Sequence, residues 1–242
     1  MSKPMTFLES TTKLVGHLPM MVHNNDQCWY AATQTLTGNK MIDVQDILSM
    51  HRKTVDHWHD HPIANEFQGI LGDICQQHQF NFLLWHEEDK ARSTDADDSL
   101  IADVKRAIDG YNQQRNDWIE KVDDRITEML AAKSIEPQTD ARLNSETPGS
   151  IIDRMSIMAL RIYHMDEQLA RTDATPEHLE KVQNRMAVCL MQLDDLANCL
   201  DQLLKDIFAG RFRHRTYRQM KMYNDPTMNP YLYKAKNRAA SV

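Results

Sequence analysis

Glycine and proline are scarce in this chain, which has seven and eight of them among 242 residues. Long apolar runs are missing too, since none approaches the roughly 20 residues that a helix needs to cross a bilayer. The abundant Leu, Met, Ala, Gln, Glu and Lys residues favour helix, because their side chains lose little rotamer freedom there. We therefore predict an all-α protein without a membrane span.

Cysteine is also rare, and its spacing gives no sign of a paired site. The four thiols stand far apart in the sequence, at Cys28, Cys75, Cys189 and Cys199. This spacing favours reduced, buried thiols over a disulfide framework or a thiolate zinc site. The first residues lack the apolar region of a secretory signal, so we expect a cytoplasmic protein.

Charge divides the chain into an acidic body and a basic tail. Residues 211–242 carry eight Lys and Arg residues against one acid, Asp225, which is a balance of +7. Because the whole chain has a net charge of −7, the remainder carries −14. Such an acidic body argues against a nucleic-acid binder. The cations and tyrosines of the tail suit nucleic acid, an anionic membrane or polysaccharide, or the acidic bundle itself, and we favour the bundle.

Apolar residues recur at spacings of three and four over most of the chain, which predicts amphipathic helices. The predicted helices run from about Ala64 to Arg92, from Leu100 to about Lys133, from Pro148 to about His164 and from Pro176 to Gly210. Asp43, Thr147 and Thr175 are the predicted N-caps. Short connections between long helices predict an up-and-down antiparallel helical bundle. We divide the chain into an N-terminal extension over 1–40, a helical bundle domain over 41–210 and a non-helical, basic, tyrosine-rich strap over 211–242 packed on the bundle.

The segment 81–92 places ionisable groups on an otherwise apolar helix face. Projected at 100° per residue, Asp89 and Arg92 share that face, and His86 lies at its edge. Buried charge is costly unless a partner compensates it. We therefore expect these groups to meet partners inside the bundle.

A second polar strip lies on the next helix, where five residues occupy about 80° of the projection. Its members are Asp109, Asn112, Asn116, Glu120 and Asp123. A solvated helix face is the simplest interpretation of such a strip. Arg115, however, lies in the apolar face of the same helix, and we expect Asp89 or Glu120 as its partner.

The helix after Pro148 is apolar on two sides, which predicts a central position. Asp153 and His164 on this helix are then partly enclosed, either as functional groups or as a hydrogen-bond network that holds the helices in register. If the three polar faces converge, their carboxylates and amides suit Mg²⁺ or Mn²⁺, and histidine admits iron or zinc. Such a cluster activates water or holds phosphate oxygens.

From this convergence we predict one polar site. The predicted metal ligands are His86, Asp89, Asp109 and Glu120, and the three acids are also the candidate catalytic groups. The predicted ligand-binding residues are Arg92, Asn112, Arg115, Asn116, Asp153 and His164. The expected cofactor is Mg²⁺ or Mn²⁺, and the expected partner is a phosphorylated small molecule, which is hydrolysed if the protein is an enzyme. The alternative is a non-enzymatic interaction or scaffold protein whose buried polar network is structural; no feature indicates the oligomeric state.

Three histidines surround Trp58, and two of them, His57 and His61, have the i, i+4 spacing of a helical metal-binding pair. Pro62 follows directly and weakens the helical geometry there. We therefore favour a surface or packing role for His57, His59 and His61.

Several longer runs resemble one protein family. They are Trp58-His59, Asn81 to Arg92, Ile108-Asp109, Asn112-Gln113, Arg115-Asn116-Asp117, Leu143 to Arg154, Ile162 to Met165, Tyr217 to Gln219, Lys221 to Pro226 and Asn229 to Tyr233. Over roughly residues 43–233, the chain resembles the bacterial family catalogued as domain of unknown function 4254. The resemblance implies a cytosolic bacterial helical protein and carries no established activity. Residues 1–40 lie outside it.

Overall fold

The computed structural model describes residues 42–222 and 225–239, and it confirms the predicted all-α class. The helices are α1 (Val44–Asp60), α2 (Gly69–Lys90), α3 (Asp98–Ala132), α4 (Pro148–Leu169), α5 (Pro176–Phe208) and α6 (Pro230–Ala239). The strands are β1 (Arg142–Leu143) and β2 (Phe212–Arg213). The predicted N-terminal extension lies outside the described residues. Within them, no helix combines the length and the apolar character that a membrane crossing needs.

The predicted capping residues mark where three helices begin. Asp43 accepts a hydrogen bond from the backbone N–H of Gln45 over 2.9 Å at the start of α1. Thr147 and Thr175 cap α4 and α5 in the same way, and each precedes a proline in the first turn. A capping side chain satisfies a backbone donor that the helix leaves open, so these residues fix the helix starts. The start of α2 differs from the prediction, because this helix begins at Gly69 and lacks a side-chain cap.

The helices α1 and α2 run in the same direction, which the prediction of alternating antiparallel helices did not anticipate. His51 of α1 packs against His78 of α2, with 4.5 Å between ring centroids. Eight residues later on both helices, His59 packs against His86 at 5.1 Å. Residue numbers therefore increase together along the two helices. The prediction of strict alternation is wrong at this pair.

The connection between α1 and α2 explains how two sequential helices become parallel. Residues 61–68 contain no helix and run back along α1, where Trp58 donates its indole N–H to the carbonyl oxygen of Ala64 over 3.1 Å. The connection then passes close to Gly72 of α2, where a Cβ atom would lie 2.7 Å from the carbonyl oxygen of Phe67. An extended chain covers more than 3 Å per residue, so eight residues suffice to return along α1.

The helix α3 runs in the opposite direction and covers α2 and α4. Its Arg125 donates to the early residue Asp73 of α2 over 3.0 Å, while its earlier residue Tyr111 packs against Phe80 of α2. The start of α4 is held against α3 by Asp123, whose carboxylate accepts the backbone N–H of Gly149 over 2.8 Å. The order of these contacts is antiparallel, as the short connections predicted.

The apolar core lies between α1, α2, α3, α4 and α5. Its fully buried members include Ile47, Ile74, Ile152, Met155 and Leu200. Cys75 and Cys189 are buried free thiols, as expected, whereas Cys199 is exposed; Cys28 lies outside the described residues. Gly210 ends α5 as predicted, with a φ of +73° that favours glycine.

The basic segment after β2 lies along α3. Arg218 donates to Asp124 over 2.8 Å and to Glu120 over 3.1 Å, and Thr216 donates to Asp124 over 2.9 Å. The same segment continues to Lys221, whose ammonium group lies 3.5 Å from the carbonyl oxygen of Asn112. The prediction that the whole tail is non-helical is wrong, because residues Pro230–Ala239 form α6. Proline fits the first turn of a helix, where its missing N–H costs nothing.

Candidate metal centre

Two layers of polar side chains lie across the three parallel helices, separated by eight residues on each helix. The inner layer contains His51 of α1, His78 of α2 and Ser156 of α4, and the outer layer contains His59, His86 and His164 of the same helices. Eight residues correspond to a rise of about 12 Å along a helix. The three helices α1, α2 and α4 run in the same direction. An offset of eight residues on each of them therefore leads from the three side chains of one layer to the three side chains of the next.

The outer layer brings three imidazoles into the geometry of a metal site. His59, His86 and His164 each offer one ring nitrogen, and these three nitrogens lie within 4.8 Å of one another. All three residues are partly buried. In the described part of the chain, no other group of three or more His, Cys, Asp or Glu side chains meets this criterion. Imidazole nitrogens at such separations suit zinc and the other transition metals.

Hydrogen bonds that Nδ1 donates fix the tautomers of two of these histidines. The Nδ1 atom of His59 lies 2.7 Å from the carbonyl oxygen of Val55, and that of His164 lies 2.6 Å from Oε2 of Glu167. Because a carbonyl or carboxylate oxygen accepts, Nδ1 carries the proton in both rings. The Nε2 atoms of both rings are then lone-pair acceptors; they are buried and have no hydrogen-bond partner among the described residues. This pattern, with Nδ1–H bonded to an oxygen and Nε2 open, is the one that metal-binding histidines adopt.

Aromatic rings hold the three imidazoles in place. Tyr163 stacks on His59 with 4.0 Å between centroids, and Trp85 stacks on His164 at 4.8 Å with an interplanar angle of 7°. Phe82 presents its ring to His86 at 4.4 Å in an edge arrangement. Packed rings restrict the rotamers of the imidazoles, so little side-chain entropy remains to be lost when a ligand binds.

The surroundings of His86 favour its neutral form. Burial lowers the pKa of His86, and the neighbouring rings of His59 and His164 lower it further, while the carboxylate of Asp89 opposes this effect. A neutral imidazole is the form that coordinates a metal ion.

Carboxylates also surround the layer. Burial raises the pKa of Tyr163, whose ring stacks on His59, and the negative charges of Glu167, Asp56, Asp60 and Asp166 raise it further. Four carboxylates therefore lie near the ring that stacks on His59. A bound cation would find a favourable field there.

The inner layer is closed to solvent. His51 is 1% exposed, and His78 and Ser156 are fully buried. The His78 Nδ1 atom lies 2.6 Å from the Ser156 hydroxyl oxygen. Burial lowers the pKa of His78 to about 3, and it also lowers the pKa of His51, which the neighbouring ring of His78 lowers further. Both inner histidines are therefore neutral at physiological pH.

A polar network extends the inner layer toward Asp153. Its carboxylate accepts hydrogen bonds from Gln77 over 2.6 Å and from Asn81 over 2.9 Å, and the Arg115 guanidinium nitrogen Nε lies 3.1 Å away. Asn81 also donates to Ser156 over 2.8 Å. Burial raises the pKa of Asp153, and the charge of Arg115 is the main opposing effect. The expectation that Arg115 pairs with Asp89 or Glu120 is therefore wrong. Arg115 pairs with Asp153, because its side chain points toward α4.

The carboxylates of the predicted metal site lie in different places. Asp89 is exposed at the end of α2. Asp109 is exposed and pairs with Lys105 over 2.8 Å. Glu120 accepts from Arg218 over 3.1 Å and from the backbone N–H of Gln219 over 2.9 Å. Within the described residues, His86, Asp89, Asp109 and Glu120 do not meet as one metal-ligand group. The prediction of a common site for these four is wrong, because α3 turns its acidic strip to solvent and to the tail.

The predicted ligand-binding residues are likewise divided. Arg115 and Asp153 meet, and Asn112 lies 3.5 Å from the Arg115 Nη1 atom. Asn116 instead accepts from Gln219 of the tail over 3.0 Å. Arg92 pairs with Glu88 on the exposed end of α2, and His164 belongs to the outer layer.

His59 is the candidate metal ligand that the sequence interpretation missed. Its neighbours His57 and His61 stack on each other at 4.2 Å on the exposed side of α1, as a surface role predicts. His59 points the other way, toward α2 and α4. The repeated offset of eight residues, from His51 to His59 and from His78 to His86, was a signal in the sequence, but it gains meaning only once the helices are known to be parallel.

Comparison with known proteins places the chain in a family. A family model described as a protein of unknown function, DUF4254, matches residues 72–216. No curated protein and no solved structure shows significant similarity to the chain. The matched segment includes His86, His164 and the Asp153 network, while His59 precedes it. Because the match covers more than half of the chain, the protein belongs to the DUF4254 family.

Proposed function

We propose that this member of the DUF4254 family binds a divalent transition-metal ion through His59, His86 and His164. The observation that carries the proposal is the cluster of three ring nitrogens, one from each histidine, within 4.8 Å of one another. The Nε2 atoms of His59 and His164 are also buried and have no hydrogen-bond partner in the described part of the chain. Burying a polar atom without a partner costs free energy, and a metal ion is a partner that removes this cost. Glu167 and the Val55 carbonyl then serve as outer partners that orient the rings.

The donor set favours zinc, cobalt, nickel, copper or iron over the Mg²⁺ or Mn²⁺ expected from the sequence. Magnesium and manganese prefer oxygen ligands, whereas neutral imidazoles suit the later transition metals. The group consists of three histidines. Among these ions, Zn²⁺ with three histidines and one open position is a common arrangement in catalytic sites.

Three protein ligands leave a fourth position for water, which supports a hydrolytic reaction if the protein is an enzyme. A bound metal ion lowers the pKa of its water and polarises a substrate carbonyl or phosphoryl oxygen. Asp89 lies three residues after His86 on the same side of α2, and its exposed carboxylate has no ion pair among the described residues. It is the candidate proton acceptor for such a reaction. The carboxylates around the outer layer favour a neutral or cationic substrate over the phosphorylated one that the sequence suggested.

Zinc titration by calorimetry tests the metal site. We expect the wild-type chain to bind one Zn²⁺ ion per chain and to bind Mg²⁺ much more weakly. His59→Ala and His164→Ala should each lose this binding, while His57→Ala, on the exposed side of the same helix, should retain it. Unchanged zinc binding by both outer-layer variants, or no zinc binding by the wild type, would overturn the proposal.

The alternative of a non-enzymatic protein with a structural polar network is supported at one place. The Asp153 carboxylate has three polar partners, from α2 and α3, and is 6% exposed. A network satisfied in this way holds helices in register. Asp153→Asn should therefore lower the stability of the fold without changing zinc affinity; a loss of zinc affinity with an intact fold would assign Asp153 to the metal site instead.

A further inference from the structure

A cleft between α4 and α5 lies apart from the two layers. It has a volume of about 740 Å³ and opens to solvent. Its α4 wall contains Arg161 and Met165, which flank His164 in sequence, and its α5 wall is formed by residues between Glu177 and Cys189. Pockets of 300–1,000 Å³ are the usual size for small-molecule ligands.

Three cations line this cleft without a carboxylate partner. No hydrogen bond or ion pair is found for the side chains of Arg161, Lys181 and Arg185 within the described residues. Elsewhere on α4, Arg154 pairs with Glu146 over 2.6 Å. Unpaired cations facing one another raise the energy of the empty cleft.

The spacing of two of these cations is unfavourable for the helix itself. Lys181 and Arg185 are four residues apart on α5, so they lie on the same face, and like charges at this spacing destabilise a helix. Arg161 faces them from α4 across the cleft. Glu177, four residues before Lys181, offsets part of this repulsion, whereas Arg185 has no acid three or four residues away. An anion in the cleft would compensate all three charges.

Two acids also line the cleft, so its lining carries one net positive charge. Glu177 lies in the first turn of α5, where hydrogen bonds from its own backbone N–H and from Thr175 lower its pKa. This carboxylate is thus stabilised by the start of the helix rather than by a cation. Glu180 lies one turn before Asn184, on the edge of the same helix.

Part of the cleft lining is apolar. Met165 from α4 belongs to this part, together with Val188 and the buried Cys189 from α5. Val188 is 48% exposed, which is high for a branched apolar side chain. A ligand that covered it would gain from removing apolar surface from water. The cleft therefore suits a molecule with one anionic group and one apolar group.

We propose that the cleft between α4 and α5 binds an organic phosphate monoester, with its phosphate between Arg161, Lys181 and Arg185 and its apolar group against Met165 and Val188. Arginine suits this role because its planar guanidinium group forms paired hydrogen bonds with phosphate oxygens. The inference does not depend on the metal centre. It places an anionic ligand where the charge favours it, away from the carboxylates of the outer layer.

Calorimetric titration of the full chain with naphthyl phosphate, in the presence of a metal chelator, tests this site. We expect binding of naphthyl phosphate, and affinities at least about tenfold weaker for naphthol and for inorganic phosphate, which each lack one of the two groups. The double variant Arg161→Gln/Arg185→Gln should weaken naphthyl phosphate binding by about tenfold or more, because two charged hydrogen-bond donors are lost. Arg154→Gln on the same helix should bind like the wild type.

Two further variants separate this proposal from folding defects and from the metal site. Val188→Asp adds a negative charge at an exposed position of the apolar lining and should also abolish naphthyl phosphate binding. Its helical circular dichroism spectrum should be unchanged, because the position is exposed. His164→Ala should retain it. Equal binding of naphthyl phosphate by the wild type and the double variant, a loss in His164→Ala alone, or no binding by the wild type would overturn the proposal.

Discussion

The outer and inner layers sit on the same three helices and differ in one side chain and in solvent access. The inner layer has Ser156 where the outer layer has His164, and its two histidines are almost fully buried. The side chain of His164 is 20% exposed. Serine closes the inner layer, because its hydroxyl pairs with His78 and Asn81. Both levels hold buried ring nitrogens without a hydrogen-bond partner among the described residues, including Nδ1 and Nε2 of His51 and Nε2 of His78 in the inner layer. The outer layer differs by its third imidazole, which brings three ring nitrogens within 4.8 Å of one another, and by its access to solvent.

The largest expected difference between the layers is in stability. His78→Ala removes a fully buried ring that packs against His51 and Trp58 and leaves Ser156 without its imidazole partner. Deleting a buried side chain of this size costs about 3 kcal/mol. Urea unfolding should show this loss, whereas His57→Ala, on the exposed side of α1, should change the free energy of unfolding by less than about 0.5 kcal/mol. Similar values for the two variants would contradict the structural role of the inner layer.

The inner layer also predicts a dependence of stability on pH. The pKa of His78 falls from 6.5 to about 3 in the folded state, so the unfolded chain binds a proton at a pH where the folded chain does not. The contribution of neutral His78 to the free energy of unfolding is therefore complete above pH 6.5. It is lost as the pH falls from 6.5 toward 3, by up to about 1.4 kcal/mol per pH unit for one histidine. Urea unfolding of the wild type and of His78→Gln between pH 4.5 and 7 measures this. The free energy of unfolding should change less steeply with pH in the variant, because one titrating histidine is gone. An unchanged slope would assign the pH dependence to other groups.

The outer layer predicts an effect of Glu167 on metal affinity. This carboxylate accepts the Nδ1 proton of His164 over 2.6 Å and so orients the ring. Removing an outer hydrogen-bond partner of a metal ligand weakens metal affinity by about tenfold or more. Glu167→Gln should weaken zinc binding in this way when it is measured by calorimetry. Glu146→Gln, near the start of α4, is the control and should leave zinc affinity unchanged; an unchanged affinity in Glu167→Gln would contradict the orienting role of this carboxylate.

The smallest expected effect of a change within the two layers comes from making the outer layer resemble the inner one. His164→Ser gives both layers the composition His, His and Ser. Because His164 is partly exposed, the change should alter the free energy of unfolding by less than about 1 kcal/mol. Zinc binding should nevertheless be lost. Retained zinc binding in this variant would show that the third histidine is not required.

The fold was largely predictable from local signals, and its topology was not. Capping residues such as Thr147 and Thr175 and the periodic apolar positions identify where helices start, because these effects act within one or two turns. The parallel arrangement of α1 and α2 depends on the extended run of residues 61–68. No short-range pattern encodes the path of such a connection. The rule that short connections join antiparallel helices therefore did not hold for α1 and α2.

The candidate site was predicted in part. Arg115 was expected to need a carboxylate, and Asp153 and His164 were expected inside the bundle; all three lie where buried polar contacts form. Asp89 and Asp109 were assigned to the site by helical projection. A projection shows which residues share a helix face, but it does not show which other helix packs against that face. Asp109 therefore reached solvent and Lys105 rather than the bundle interior. The sequence could not show which of the polar faces meet, since that depends on the relative directions of the helices.

X-ray absorption at the zinc edge of the zinc-loaded chain tests the central claim most directly. The account predicts a first shell with three imidazole nitrogens at about 2.0–2.1 Å, together with the outer-shell scattering of histidine rings. The shell should lose one imidazole in His164→Ser if residual zinc remains bound. A first shell made of oxygen or sulfur ligands, or imidazole scattering that persists unchanged in that variant, would contradict it.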